Sequence, residues 1–207
     1  MAGRVLILED DAWTRSVLQT ALSANGFEVV EAVGTAREAM ATASAEQIDI
    51  ALLDLDLGEG PTGVDVAIAL GRCYPDLAVV LLTSYEDLRL FKAALPKLPD
   101  SVHVARKSEV SDVDQLVELV RNASQQPSKP RTPISDLTDP QIETLRLVAA
   151  GLTNAQIARA RFVSEKAVEH AIARLARQLE IPQESSQNTR VLLTRAYFKM
   201  IGHRSAG

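Results

Sequence analysis

The sequence predicts an α/β protein: a doubly wound, five-stranded parallel sheet followed by a small all-helical domain. Three observations predict it. Five short apolar runs alternate with helical patterns over residues 1–123. The runs are almost continuously apolar, as strands covered on both faces must be. Beyond residue 136 only helical periodicity remains.

Val5-Leu6-Ile7-Leu8 reads as the first strand, and Trp13, Val17, Leu18 and Leu22 then recur at helical spacing. Phe27-Glu28-Val29-Val30 is the second strand, followed by an Ala-rich helix over 36–45. Ile50-Ala51-Leu52-Leu53 is the third strand, with a helix over 64–73 after it. Ala78-Val79-Val80-Leu81-Leu82 is the fourth, with a helix over 86–95. Val102-His103-Val104-Ala105 is a short fifth, and a helix over 113–123 closes the domain. Residues 124–136 contain Pro127, Pro130 and Pro133 among polar residues and read as a semi-extended linker. Thr138 with Gln141 forms a capping box before the stripe Ile142, Leu145, Val148 and Ala149, and Gly151 ends that helix. Thr153 with Gln156 opens a short helix to Arg161, Phe162-Val163 makes a tight turn, and Ser164 caps a helix running to Gln178. Residues 191–200 are the last helix. The domains are therefore 1–123 and 137–207, joined by 124–136.

The net charge of −5 conceals an asymmetry. Residues 1–123 carry 20 acidic and 10 basic side chains, whereas residues 124–207 carry 7 and 12, so the helical part is the candidate for a polyanionic partner. The single Cys73 excludes an internal disulfide framework and fits a reducing cytoplasm. His103, His170 and His203 are too scattered for a zinc site to be expected. The opening residues lack a signal-peptide layout, and no apolar run reaches the ~18–20 residues of a membrane helix, so a cytoplasmic protein without a membrane partner is expected.

Chemistry concentrates at the strand ends. Glu9, Asp10 and Asp11 follow the first strand, Asp54 follows the third, and Asp56 lies two residues on. In a doubly wound sheet strands one and three are neighbours at the switch point, so these acids converge. Clustered carboxylates repel unless a proton or cation intervenes, and hard oxygen ligands in a partly open site suit magnesium. The fourth strand ends in Thr83-Ser84 and the fifth in Arg106-Lys107, adding a hydroxyl and an ammonium to the same rim. This constellation accepts a phosphoryl group: Asp54 as nucleophile, Mg2+ and Lys107 neutralising charge, Thr83 hydrogen-bonding a phosphoryl oxygen.

These residues carry a resemblance. The segments Val5-Leu6-Ile7-Leu8-Glu9-Asp10-Asp11, Leu52-Leu53-Asp54-Leu55-Asp56-Leu57, Leu81-Leu82-Thr83-Ser84 and Arg106-Lys107-Ser108 resemble the receiver domain of two-component response regulators in order and spacing. The resemblance implies a flavodoxin-like sheet in the order 2-1-3-4-5, phosphorylation of Asp54 by a cognate histidine kinase, metal binding by Glu9, Asp10 and Asp54, and completion of the protein ligands by the backbone carbonyl of Asp56. Two features depart from the family pattern. Gly58 stands where a Pro is common, and the switch aromatic three residues before the Lys is replaced by Val104. Dimerisation is expected to involve the surface near strands four and five.

On a helical wheel starting at Lys166, His170, Arg174 and Arg177 fall within roughly 80° of it, and Val168, Ile172, Leu175 and Leu179 gather on the opposite side. A short helix and a tight turn precede this one, the layout of a helix-turn-helix whose second helix enters the major groove. The pieces Leu137-Thr138, Ala149-Ala150-Gly151-Leu152-Thr153-Asn154, Ile157-Ala158 and Val163-Ser164-Glu165-Lys166 are similar to the LuxR-type output domain of the NarL/FixJ class. That similarity implies promoter DNA as partner and a homodimer paired through residues 191–197, with Lys166, His170, Arg174 and Arg177 as DNA contacts. Glu169 and Ala171 stand where the family often has Lys and His, and Glu180 replaces the usual Gly.

The chain is thus read as a phosphorylation-controlled transcription factor and not as an enzyme. A haloacid-dehalogenase-like phosphatase shares the motif Asp54-Leu55-Asp56, but places its acid pair late in the chain, whereas here the pair precedes Asp54. The other alternative is a signalling adaptor whose helical tail binds protein rather than DNA.

Overall fold

A computed structural model describes residues 2–91, 98–125, 137–181 and 188–202. The chain forms two compact units. The first contains the described residues up to Thr83 together with 98–125; the second contains 84–91 and the described residues from 137 onward.

In the first unit, β1 (Ala2–Leu8), β2 (Phe27–Val33), β3 (Ile50–Asp54), β4 (Ala78–Thr83) and β5 (Val102–Arg106) form one parallel sheet in the order β2-β1-β3-β4-β5. This is the predicted fold class and order. All five residues of β3 are buried, which explains its unbroken apolar run: it is the central strand, covered on both faces. One face packs Val5, Ile7, Ile50, Leu52, Val80 and Leu82 with Leu22 of α1 (Ala12–Ala24) and with Leu116, Val117 and Val120 of α5 (Val113–Gln125). The other is covered by α2 (Ala36–Ala45) and α3 (Gly63–Cys73). Both of those helices open on capping boxes that the sequence reading passed over, Thr35 with Glu38 and Thr62 with Asp65.

The helical stripe of α1 behaves differently from its spacing. Leu22 is buried and Leu18 packs partly against the core, whereas Trp13 and Val17 are exposed. The helix follows directly on the end of β1, and its buried apolar residues lie in its second half.

The second unit is built from α4 (Leu88–Phe91), α6 (Asp139–Ala149), α7 (Asn154–Arg161), α8 (Glu165–Gln178) and α9 (Thr189–Met200). Its core joins Leu145 and Val148 of α6, Ile157 of α7, Val168, Ile172 and Leu175 of α8, and Leu193 of α9. The expected punctuation is present: Thr138 N–H donates to Gln141 Oε1 (2.7 Å), Thr153 N–H to Gln156 Oε1 (2.8 Å), and Ser164 Oγ accepts from Ala167 N–H (3.2 Å). Gly151 ends α6 at φ +81°, a left-handed conformation that costs glycine nothing. The helix expected over 86–95 is described only as Leu88–Phe91, and residues 126–136 of the expected linker lie outside the described residues.

Candidate functional site

Strand register brings the acids together. Leu8 pairs with Leu53, so Glu9 and Asp54, one residue further on, emerge side by side at the carboxyl end of the sheet. Asp54 pairs with Leu82, and Thr83 with Arg106, which carries the rim on to Thr83 and Lys107. Carboxylate oxygens of Glu9, Asp10 and Asp54 all lie within 4.8 Å of one another. Lys107 Nζ stands 2.8 Å from Asp54 Oδ1 and 3.6 Å from Glu9 Oε2. Thr83 is fully buried, while Glu9 and Asp54 are 3% and 7% exposed; Asp10 faces solvent.

The electrostatics follow from that burial. Desolvation raises the Asp54 carboxyl above its ordinary value, even though the hydrogen bond and charge of Lys107 pull it down. Glu9 is raised by burial first and by the Asp54 charge second. Burial lowers Lys107, but its hydrogen bond to Asp54 and the nearby charges of Asp54 and Glu9 outweigh that and leave it above its ordinary value. The pocket thus holds three acids against one cation, a deficit that a divalent cation or protons can fill.

Asp11, third in the acidic run, stands apart from the cluster. It caps α1, accepting from Thr14 N–H and Thr14 Oγ1 at 2.7 Å each, and those bonds hold its carboxyl below the usual range. The side chain of Asp56 is exposed and is not a member of the three-carboxylate cluster. Val104 is buried in β5, paired with Leu81. Tyr85 belongs to the second unit, where its ring meets Phe91 edge-on at 5.3 Å.

Two residues that support the pocket carried no motif. Arg15 Nη1 donates to the carbonyls of Glu9 (2.6 Å) and Asp10 (3.1 Å), fixing the backbone of the acid pair. Gly63 opens α3 with its N–H on the carbonyl of Leu55 (2.9 Å), and a Cβ there would fall 1.9 Å from the carbonyl oxygen of Asp54. Backbone cannot yield that far, so Gly63→Ala is expected to displace the Asp54 loop at a cost of roughly 1–3 kcal/mol or more. A denaturant melt checks this; a stability equal to the parent's would contradict it.

The second unit presents a candidate site of its own. Val168, Ile172, Leu175 and Ala176 are the buried face of α8, while Lys166, His170, Arg174 and Arg177 are all exposed, as the wheel predicted. Phe162 links α7 to α8 in a left-handed conformation (φ +53°) with its ring 97% exposed. Other cations are committed to structure. Arg161 binds Glu143 (3.2 Å) and Thr144 Oγ1, and Arg190 ties α9 to Asn154 Oδ1 (2.8 Å) and the carbonyl of Leu152. Glu165 and Glu169 are exposed on α8 as well, so its surface is mixed in charge outside the basic stripe.

Comparison with known proteins agrees with this geometry. The family described as response regulator receiver domain matches residues 5–98, and bacterial regulatory proteins of the luxR family match residues 135–187. The DNA-binding transcriptional activator DevR/DosR of Mycobacterium tuberculosis is 31% identical over 191 residues, covering 85% of this chain and 88% of its own length. The oxygen regulatory protein NreC of Staphylococcus carnosus is 26% identical over 186 residues, 80% of this chain and 86% of NreC. A structure of two RcsB dimers bound to two parallel DNAs superposes with a TM-score of 0.63 at 18% identity, over 97% of this chain and all of that one, a likeness of fold. The chain belongs to the response regulators that join a receiver domain to a LuxR-type helix-turn-helix domain.

Proposed function

We propose that this chain is a DNA-binding transcription factor switched by phosphoryl transfer to Asp54, with the receiver over 1–123, a linker over 124–136 and the output domain over 137–207. The observation that carries the reading is the meeting of Glu9, Asp10, Asp54 and Lys107 at one sheet rim, with Thr83 buried one strand along. An Asp54 carboxylate oxygen attacks the phosphorus of a phosphohistidine on the kinase or of a small acyl phosphate. The new P–O bond forms as the donor's P–N or P–O bond breaks and the donor leaves. Lys107 balances charge on the phosphoryl oxygens, and Thr83 offers its hydroxyl to one of them.

The three carboxylates fit a hard divalent cation, and magnesium is the ion proposed, with the carbonyl of Asp56 as a further ligand. When bound, it supplies neutralisation of the phosphoryl charge. Without it the cluster is a stability cost at neutral pH. Glu9 and Asp54 are raised in the fold, so their contribution is favourable at pH below the ordinary carboxylate range and is lost as pH rises through their folded values. Magnesium at about ten times its Kd is therefore expected to stabilise the protein by ~1.4 kcal/mol at pH 7. The increment should disappear in Asp10→Asn and shrink as protons compete at lower pH. Thermal melts with and without magnesium check this, and an unchanged increment in Asp10→Asn would remove Asp10 from the site.

The partner of the output domain is promoter DNA, met by the exposed stripe Lys166, His170, Arg174 and Arg177. DevR/DosR is named as a DNA-binding activator and the RcsB structures hold DNA-bound dimers, which supports DNA and a homodimer here, with α9 as the pairing helix. The protein is placed in the cytoplasm with its kinase. No helix among the described residues is long and apolar enough to cross a membrane. Capture of fragmented genomic DNA by the phosphorylated protein tests the reading: a recurring sequence should be recovered. Recovery of none, with a protein captured through the tail instead, would favour the adaptor.

A further inference from the structure

One charge on α8 has no role in the account above. The helix carries two exposed acids, Glu165 and Glu169. Glu165 stands in the first turn, where the helix dipole favours a negative charge. Glu169 lies a turn further on, beyond that effect, and has no ion-pair partner among the described residues. Its neighbours on the surface include groups already read as facing DNA. Glu169, His170 and Ala173 follow Lys166 at the i+3, i+4 and i+7 spacing of one helix face. All lie within roughly 60° of Lys166 on the wheel, and all are exposed. Val168, Ile172 and Leu175, which fix the helix to its unit, lie on the other side. Ala173 ends at its methyl, so the backbone one turn after Glu169 can approach a groove floor closely.

A carboxylate carried into the major groove meets a restricted set of partners. Phosphates repel it. Guanine offers the acceptors N7 and O6, and thymine the acceptor O4 and a methyl group, so neither can satisfy it. Only the amines of cytosine (N4) and adenine (N6) donate, and adenine sets its N7 acceptor beside the amine. Cytosine alone presents a donor without an adjoining acceptor. A carboxylate desolvated at the interface and left unpaired is costly, so the wrong base is penalised more than the right one is rewarded.

We propose that Glu169 is a specificity-determining residue of this interface: its carboxylate accepts a hydrogen bond from the N4 amine of a cytosine in the major groove and excludes guanine and thymine from that position. The inference deepens the reading of α8 as the DNA reader and rests on it. Lys166, one turn earlier, carries a donor suited to guanine O6 and N7. One stretch of helix thus offers base edges both a donor and an acceptor, and the sites it selects hold a cytosine that no cation on α8 would require.

The test compares full-length parent, Glu169→Ala, Glu169→Gln and Lys166→Ala, each treated with acetyl phosphate and magnesium. Affinity is measured on a captured promoter fragment in which every base pair of the bound site is replaced in turn by the other three. The parent is expected to prefer cytosine at one position over guanine or thymine by about five- to tenfold. Glu169→Ala should bring that preference within about twofold, at that position only, without weakening binding to non-specific DNA. Glu169→Gln keeps the shape of the side chain. Its amide accepts from cytosine but also pairs bidentately with adenine N6 and N7, so adenine should become at least the equal of cytosine there. Variants that keep the parent's preference at every position overturn the proposal. So does relaxation at a position where the parent prefers guanine or thymine, or a uniform weakening on all sequences, which would assign the carboxylate to a protein contact. If Lys166→Ala shifts a preference and the Glu169 variants do not, this inference falls and α8 remains the reader. If the parent is selective and none of the three variants changes any position, or if no protein selects a sequence, the reading of α8 itself falls.

Discussion

Asp54→Asn is expected to abolish incorporation of label from an acyl-phosphate donor, while the parent labels only when magnesium is present. The substitution keeps the size of the side chain and removes the nucleophilic oxyanion at the one position where Lys107 (2.8 Å), Glu9 and Asp10 converge. Of the neighbouring acids, Glu9 is directed at Lys107 and the Asp11 backbone N–H, and Asp11 is spent on capping α1. Lys107→Ala is a graded case. The acceptor remains, so some label should remain, but the ammonium that reads the modified Asp54 is gone and the DNA response should be lost. Undiminished labelling of Asp54→Asn would overturn the assignment.

The α8 variants should separate two kinds of contact. Lys166 lies in the first turn of α8 and Arg174 and Arg177 lie two to three turns on, with all three exposed on one stripe. The N-terminal part of a recognition helix is the part that reaches base edges. Lys166→Ala is therefore expected to cost about 1–3 kcal/mol at one base position and to relax preference there. Arg177→Ala should weaken all sequences alike and reduce the salt slope by about one, as loss of a phosphate contact does. Affinities across a panel of site variants at several salt concentrations distinguish the two. A double variant that binds as well as the parent would remove α8 from the interface.

Much of this was legible in the chain because periodicity and chemistry agreed. A short unbroken apolar run such as Ile50-Ala51-Leu52-Leu53, alternating with helical patterns, fits a strand covered on both faces, and the order of acids, hydroxyl and Lys at successive strand ends places them on one rim. The opposed faces of α8 were fixed by spacing alone, since a helix leaves no other arrangement. What escaped depended on backbone proximity or on partners far away in the chain. Gly63 is an ordinary glycine until the carbonyl of Asp54 is seen beside it. Arg15 looks like a solvated helix charge until its two carbonyl partners are placed. Trp13 and Val17 obey helical spacing and still face solvent, because spacing does not say which stretch of a helix meets the core. Arg89 finds Asp139 across 50 residues, a pairing that no local pattern encodes.

The proposed switch joins both units in a single quantity, the change in promoter affinity expected on phosphorylation of Asp54. Affinity of the full-length protein for a captured promoter fragment, measured at one salt concentration before and after treatment with acetyl phosphate and magnesium, tests this most directly, with Asp54→Asn alongside. The parent is expected to bind several-fold more tightly after treatment while Asp54→Asn is unchanged. Equal affinity of the parent before and after treatment, with label confirmed on Asp54, would contradict a switch operated by that residue.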